Sequence, residues 1–247
     1  ELDRLFKTDV FYSKRLLANY YSNRAMMHSK LNELSLAEKF GYLSIRQKNS
    51  DYLFYLANLC GVLLRSGKYN IALKLMSSSI PDLKKTNSFY NKIGFASFYI
   101  KTLVYNKMGK NAVSYASTFL DAYKKEIFAT RWHLFFAAYV QALLSAEKYS
   151  RLLAVAKRYN LLALEKKFID KTVYMPVLLW HNEVALYMEG RQSKEKLEET
   201  IYTSASVLLQ NKYKAGRINE LLDNLSESIP SEIAVIRSRL NLKPERA

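Results

Sequence analysis

Cysteine is nearly absent from this chain: Cys60 stands alone among 247 residues. One thiol forms no internal disulfide and builds no cysteine-based zinc site. It fits a reducing compartment, and a cytoplasmic location is expected. Glycine and proline are also scarce, at seven and four. Folds made of β-hairpins need many tight turns, and turns draw on those residues, so their scarcity predicts long, uninterrupted helices. Long apolar runs are missing too. The longest uncharged one, Trp132 to Ala146, holds 15 residues and includes His133 and Gln141, against about 20 for a bilayer span. No membrane insertion is expected. The chain begins with Glu1 and reads as a fragment of a larger regulatory or signalling protein, in which case a missing targeting signal carries no weight.

Catalytic patterns are lacking as well. There is no glycine-rich phosphate loop, no H-E-x-x-H and no G-x-S-x-G. His28, His133 and His181 fall in three different predicted hairpins, where they do not converge with carboxylates. Cys60 has no neighbouring base and sits where a small residue is wanted for packing. Glu195, Glu198 and Glu199 alternate with Lys194 and Lys196 as on a solvated helix face. No enzyme activity, metal or cofactor is expected.

What the chain has is apolar content, at 49%, and positive charge, at +16. The charge is uneven. Residues 61–130 carry eleven Lys/Arg against three Asp/Glu, half of the excess. Such a surface attracts anions, whether acidic peptides or nucleic acid. The apolar residues recur at helical spacing. Leu56, Leu59, Cys60 and Leu63 mark one face; Ala72, Leu75, Met76 and Ile80 a second; Trp132, Phe135, Phe136, Tyr139, Val140 and Leu143 a third. Gly67, Gly109 and Gly190 read as helix stops followed at once by a new start. Pro176 and Pro230 suit helix first turns.

The units repeat. From Asn32 to Gly67 is a step of 35, and both are followed by an apolar or aromatic residue (Leu34, Tyr69) and then alanine (Ala37, Ala72). Tyr149 holds the same place in a later unit. A period near 35 with two helices per unit predicts stacked helical hairpins. On these residues the chain resembles the tetratricopeptide repeat (TPR) family. The best unit, Leu56 to Ile80, has Leu56, Cys60, Gly67, Tyr69 and Ala72 in the family's places, with Pro81 close to its closing proline. The unit through Ala25, Asn32 and Ala37 matches with Gly41 where a bulky residue is usual. Later units depart further, with Ser114, Glu147 and Leu152 at motif positions.

The resemblance covers about residues 12–210 and implies an all-α fold, a right-handed superhelical α-solenoid of about five antiparallel hairpins. These are expected at about 10–47, 51–80, 88–126, 131–165 and 172–209 within a single domain, 1–247. Residues 211–227 and 230–241 read as capping helices, and 1–8 as the remnant of an earlier helix. The resemblance further implies a concave groove, lined by the first helix of each hairpin, that binds a peptide or protein segment. That groove would take Asn23, Met26 and Lys30 from the first hairpin, Asn58, Gly61 and Arg65 from the second, and Tyr99, Asn106 and Lys107 from the third. Lys30, Arg65 and Lys107 would stand at equivalent places as a basic ladder suited to an acidic partner. Ser22, Met26 and Ala96 replace the family's carboxylate-clamp residues, so capture of a chaperone tail is not expected. The expected function is a protein-binding scaffold. Nucleic-acid binding through the basic segment 61–130 is the alternative.

Overall fold

The computed structural model describes residues 13–169, 176–209 and 215–242. Among them the regular structure is helical throughout. The helices are α1 (Lys14–Lys30), α2 (Leu34–Arg46), α3 (Tyr52–Arg65), α4 (Tyr69–Ser78), α5 (Phe89–Tyr105), α6 (Gly109–Thr130), α7 (Trp132–Ser145), α8 (Tyr149–Arg158), α9 (Leu161–Ile169), α10 (Val177–Met188), α11 (Lys194–Leu209), α12 (Ala215–Ser226) and α13 (Pro230–Arg239), with one 3₁₀ turn at Ile80–Lys84. No described helix is long and apolar enough to cross a membrane. The expected helix remnant at 1–8, and the expected element starts at 10, 172 and 211, lie outside the described residues. Helix α9 is a separate element, where a single hairpin was expected over 131–165. Pro230 opens α13 and Pro176 immediately precedes α10. The chain forms two compact units, one running to Phe135 and the other from Phe136.

Four helix–helix connections share one conformation. Asn32, Gly67, Lys107 and Glu147 have φ of 61°, 71°, 61° and 56°. At each, the amide bonds to the carbonyl three residues back, and the next amide to the carbonyl five before it, as in Gly67 N to Leu64 O (3.1 Å) and Lys68 N to Leu63 O (2.9 Å). This left-handed stop closes the last carbonyls of a helix and leaves one residue before the next helix begins. Gly190 (φ 66°) ends α10 with the same bonds. The glycine reading holds at Gly67 and Gly190 and fails at Gly109. Gly109 is the buried first residue of α6, and Lys107 takes the left-handed place instead. The turns therefore fall 35, 40 and 40 residues apart.

In the first unit, α3 packs against α1, α2, α4 and α5, and α5 also packs against α4 and α6. The core gathers Leu56, Leu59, Cys60, Leu63, Ala72, Met76 and Phe95, all fully buried. Gly41 departs from the repeat pattern for a local reason: a Cβ there would stand 2.7 Å from Leu59 Cδ1, so α2 and α3 meet more closely than a larger residue permits. Helices α1 and α3 are tied by a constant offset of 36. Arg15 Nε donates to Asp51 Oδ2 (2.8 Å), Tyr55 Oη to Asn19 Oδ1 (2.8 Å), Asn58 Nδ2 to Ser22 Oγ (3.1 Å) and Arg65 Nη1 to Ser29 Oγ (2.7 Å). A fixed offset over four helical turns means that the two helices run parallel and side by side.

In the second unit, α10 contacts α8, α9, α11 and α12, and α13 contacts α11 and α12. Glu165 of α9 is 2% exposed. Its carboxylate accepts Leu178 N (2.9 Å) and Leu179 N (2.8 Å), capping the start of α10, which has no cap from its own Pro176. Trp180 Nε1 donates to Ser204 Oγ (2.7 Å), and the Arg237–Asp223 ion pair joins α13 to α12.

Candidate functional site

The nine residues expected to line a groove divide into two groups. Asn23, Met26 and Lys30 are exposed together on α1. The others on α3 and α5 are already engaged by the fold. Asn58 is half-buried and donates to Ser22. Arg65 is half-buried too, with its guanidinium on the Ser29 carbonyl and hydroxyl at the end of α1. There it meets the negative end of the helix dipole and closes unsatisfied carbonyls. Asn106 follows α5 and donates to Tyr69 O (3.1 Å) and Thr102 O (2.7 Å). Tyr99 is half-buried, its ring 6.3 Å from Phe95 and in edge contact with Tyr115 at 4.8 Å. Gly61 admits Phe98, whose Cε1 would lie 2.9 Å from an added Cβ.

Lys107 is exposed, but it is not the counterpart of Lys30 and Arg65. Measured from the left-handed turns, the α5 residue in their register is Tyr105, which stacks on Tyr69 at 5.2 Å. The three cations therefore form no ladder. The offset arises because the stop falls at Lys107 and not at Gly109.

Several cations of the 61–130 segment, and Arg131 just beyond it, are matched. Lys68 Nζ lies 2.6 Å from Glu38 Oε2, and Lys85 Nζ 3.1 Å from Asp82 Oδ1. Lys92 lies over the Phe89 and Tyr123 rings, Lys101 over Phe98, and Arg131 over Tyr90 at 3.6 Å from the ring centre. Arg131 also donates to Tyr90 Oη (2.7 Å).

The histidines serve local packing. His28 bonds Glu33 Oε2 through Nδ1 (2.5 Å) and stacks on Phe40; His133 lies edge-on to Trp132; His181 Nδ1 bonds Val177 O (2.7 Å). Cys60 is fully buried, and desolvation pushes its thiol pKa up to about 12. That makes it unreactive at neutral pH. Among the described residues no three of His, Cys, Asp and Glu are grouped to hold a metal. An open depression of about 550 Å³ lies between the α2–α3 loop and the 3₁₀ turn, where Tyr52, Ser79, Asp82 and Lys85 line it. Tyr52 Oη and Ser79 Oγ bond each other there (3.3 Å).

Sequence reasoning placed Ser22 only as a clamp replacement and missed that it, like Ser29, accepts an α3 side chain; it also missed Leu16, Met27 and Leu31, which are exposed beside Asn23 and Lys30. The repeated offset of 36 between polar residues was the available signal for the two serines.

The described residues thus define an all-helical protein of packed hairpins whose exposed chemistry lies on helix surfaces. No family model, curated protein or solved structure matches the chain.

Proposed function

We propose that the chain is a protein-binding scaffold of the TPR kind, a helical repeat that presents helix surfaces to a peptide or protein segment. The recurrent left-handed turn carries this reading, with four instances at steps of 35, 40 and 40 residues, each two residues ahead of a new helix. A repeat of this sort stabilises itself through neighbours and leaves helix faces over for binding. The partner surface on this reading centres on Asn23, Met26 and Lys30, with Lys107 as a separate exposed cation. Asn58, Arg65 and Asn106 support the scaffold. The nucleic-acid alternative draws less support. Lys92 and Arg131 already cover the exposed rings of Phe89 and Tyr90 on which bases would stack.

The test is affinity capture with the chain as bait, followed by crosslinking and mass spectrometry. Crosslinks from captured proteins to Lys14, Lys30 or Lys107 are expected, and they should survive nuclease treatment. Capture that nuclease abolishes, with nucleic-acid affinity falling steeply as salt rises, refutes the scaffold reading.

A further inference from the structure

The repeat permits a residue-by-residue comparison of first helices. Aligned on Asn32 and Gly67, each α1 residue has its counterpart 35 positions later on α3. On α3 these positions face the preceding hairpin: Asn58 and Arg65 donate to α1, and Val62 between them is 2% exposed. Their α1 counterparts are Asn23, Lys30 and Met27. Asn23 and Lys30 are exposed and Met27 is 43% exposed. Leu16 (55%) and Leu31 (62%) extend the same face, since steps of seven, eleven, fourteen and fifteen from Leu16 return to one side of a helix. Of the eleven large hydrophobic side chains exposed among the described residues, five belong to the first hairpin. So α1 carries the equipment with which α3 grips a parallel helix, and among the described residues no helix lies on it. The charge is equally one-sided. Lys14, Arg15, Arg24 and Lys30 lie on α1, whose own sequence holds no carboxylate, and of these Arg15 is paired with Asp51 from the start of α3.

We propose that this face of α1 docks an acidic amphipathic helix of a separate partner protein. The partner helix lies parallel to α1, its apolar residues on Leu16, Met27 and Leu31 and its carboxylates accepting from Asn23 and Lys30. A second copy of this chain fits poorly, because it would set cation against cation. The proposal rests on the protein-binding reading and adds where the partner sits and what it is made of.

The probes are three labelled helical peptides about 18 residues long. One has leucines at steps of three and four flanked by glutamates, the second has lysines for the glutamates, and the third keeps the glutamates but has glutamines for the leucines. By fluorescence anisotropy the intact chain should bind the first at least about tenfold more tightly than either other. Met27→Glu and Lys30→Glu should each weaken it about tenfold, while Val207→Glu on α11 changes nothing. Circular dichroism checks that each variant is folded.

Equal binding of the first and third peptides would mean bulk charge attraction and overturns the proposal, as does failure to bind any peptide. Binding unaffected by Met27→Glu overturns this site while leaving the scaffold reading intact, which the crosslinks judge separately. Dimerisation in sedimentation that Met27→Glu abolishes would assign the face to a second copy. Binding that appears only once residues 1–12 are deleted would assign it to the chain's own first segment. Either result overturns the proposal.

Discussion

Glycine substitution at the left-handed turns tests the repeat through its backbone. Lys107 and Glu147 hold φ of 61° and 56°, a region where an L side chain crowds its own carbonyl. That crowding costs roughly 1–2 kcal/mol. Glycine removes it, but brings about 0.5–1 kcal/mol of extra backbone entropy to the unfolded chain. The difference leaves Lys107→Gly and Glu147→Gly more stable by about 0.5–1 kcal/mol. Asn32→Gly should be close to neutral, because asparagine tolerates this conformation. Gly67→Ala runs the other way. An added Cβ there meets nothing within 4 Å, so only the conformational term applies, a loss of about 1 kcal/mol. Lys74→Gly, exposed in the middle of α4, is the control and should lose about 1 kcal/mol. Urea unfolding followed by circular dichroism reads these as midpoint shifts at constant slope. If Lys107→Gly and Glu147→Gly lose stability as Lys74→Gly does, the left-handed turn is not the common element of these connections and the register drawn from it fails.

Other substitutions probe single contacts. Arg65→Met should lower stability by about 1.5–3 kcal/mol, because a charge-assisted bond to the Ser29 carbonyl is lost; a double-mutant cycle with Ser29→Ala should show coupling in chemical denaturation. Gly41→Ala should cost about 1–3 kcal/mol by overpacking Leu59, and a Leu59→Ala background should relieve part of that cost in the same assay. Glu165→Ala uncaps α10 and should cost about 2 kcal/mol, with Glu165→Gln intermediate. Cys60 should resist a maleimide at pH 8 until the chain unfolds. Its folded pKa lies above the unfolded one, so the stability it contributes is complete below the unfolded thiol pKa. It declines as pH rises from about 9 toward about 12. Alkaline unfolding curves of Cys60→Ala should lack that decline.

The fold class was legible because helical periodicity is local. Leu56, Leu59, Cys60 and Leu63 recur at steps that only a helix brings to one side, and all four are fully buried. The turns were legible where glycine marked them, at Gly67 and Gly190. At Glu147 the alignment on Tyr149 marked the turn position without a glycine, and at Lys107 nothing marked it, because a lysine side chain does not announce a positive φ. Gly109 misled for the same reason. Its value at that place is as a buried, side-chain-free residue opening α6, and burial is a tertiary property. The kink of α6 at Tyr123, with φ −130° and ψ 28°, had no glycine or proline to signal it. The capping of α10 by Glu165 joins residues 13 and 14 positions apart, which no helical spacing foretells.

The candidate site was legible only as a set of positions, and the structure sorted them by what stands beside each. Asn23 and Asn58 are the same residue type at the same repeat position, as the cations Lys30 and Arg65 nearly are. Sequence similarity therefore ranked them together as binding residues. Yet Asn58 and Arg65 have α1 to hold, and a side chain fixed on the hydroxyl or carbonyl of a neighbouring helix is held in place by the fold. In a repeat, the residues that bind the next unit and those that would bind a partner are drawn from one pattern. On α1, the first described helix, that pattern is exposed. On α3 the pattern contributes to stability; on α1 the same residues stay exposed at a cost in solvated apolar surface. Met27→Glu should therefore leave the unfolding midpoint unchanged within about 0.5 kcal/mol, whereas Val62→Glu at the corresponding buried position on α3 should cost more than about 3 kcal/mol. Equal losses at both would mean that α1 is covered as α3 is.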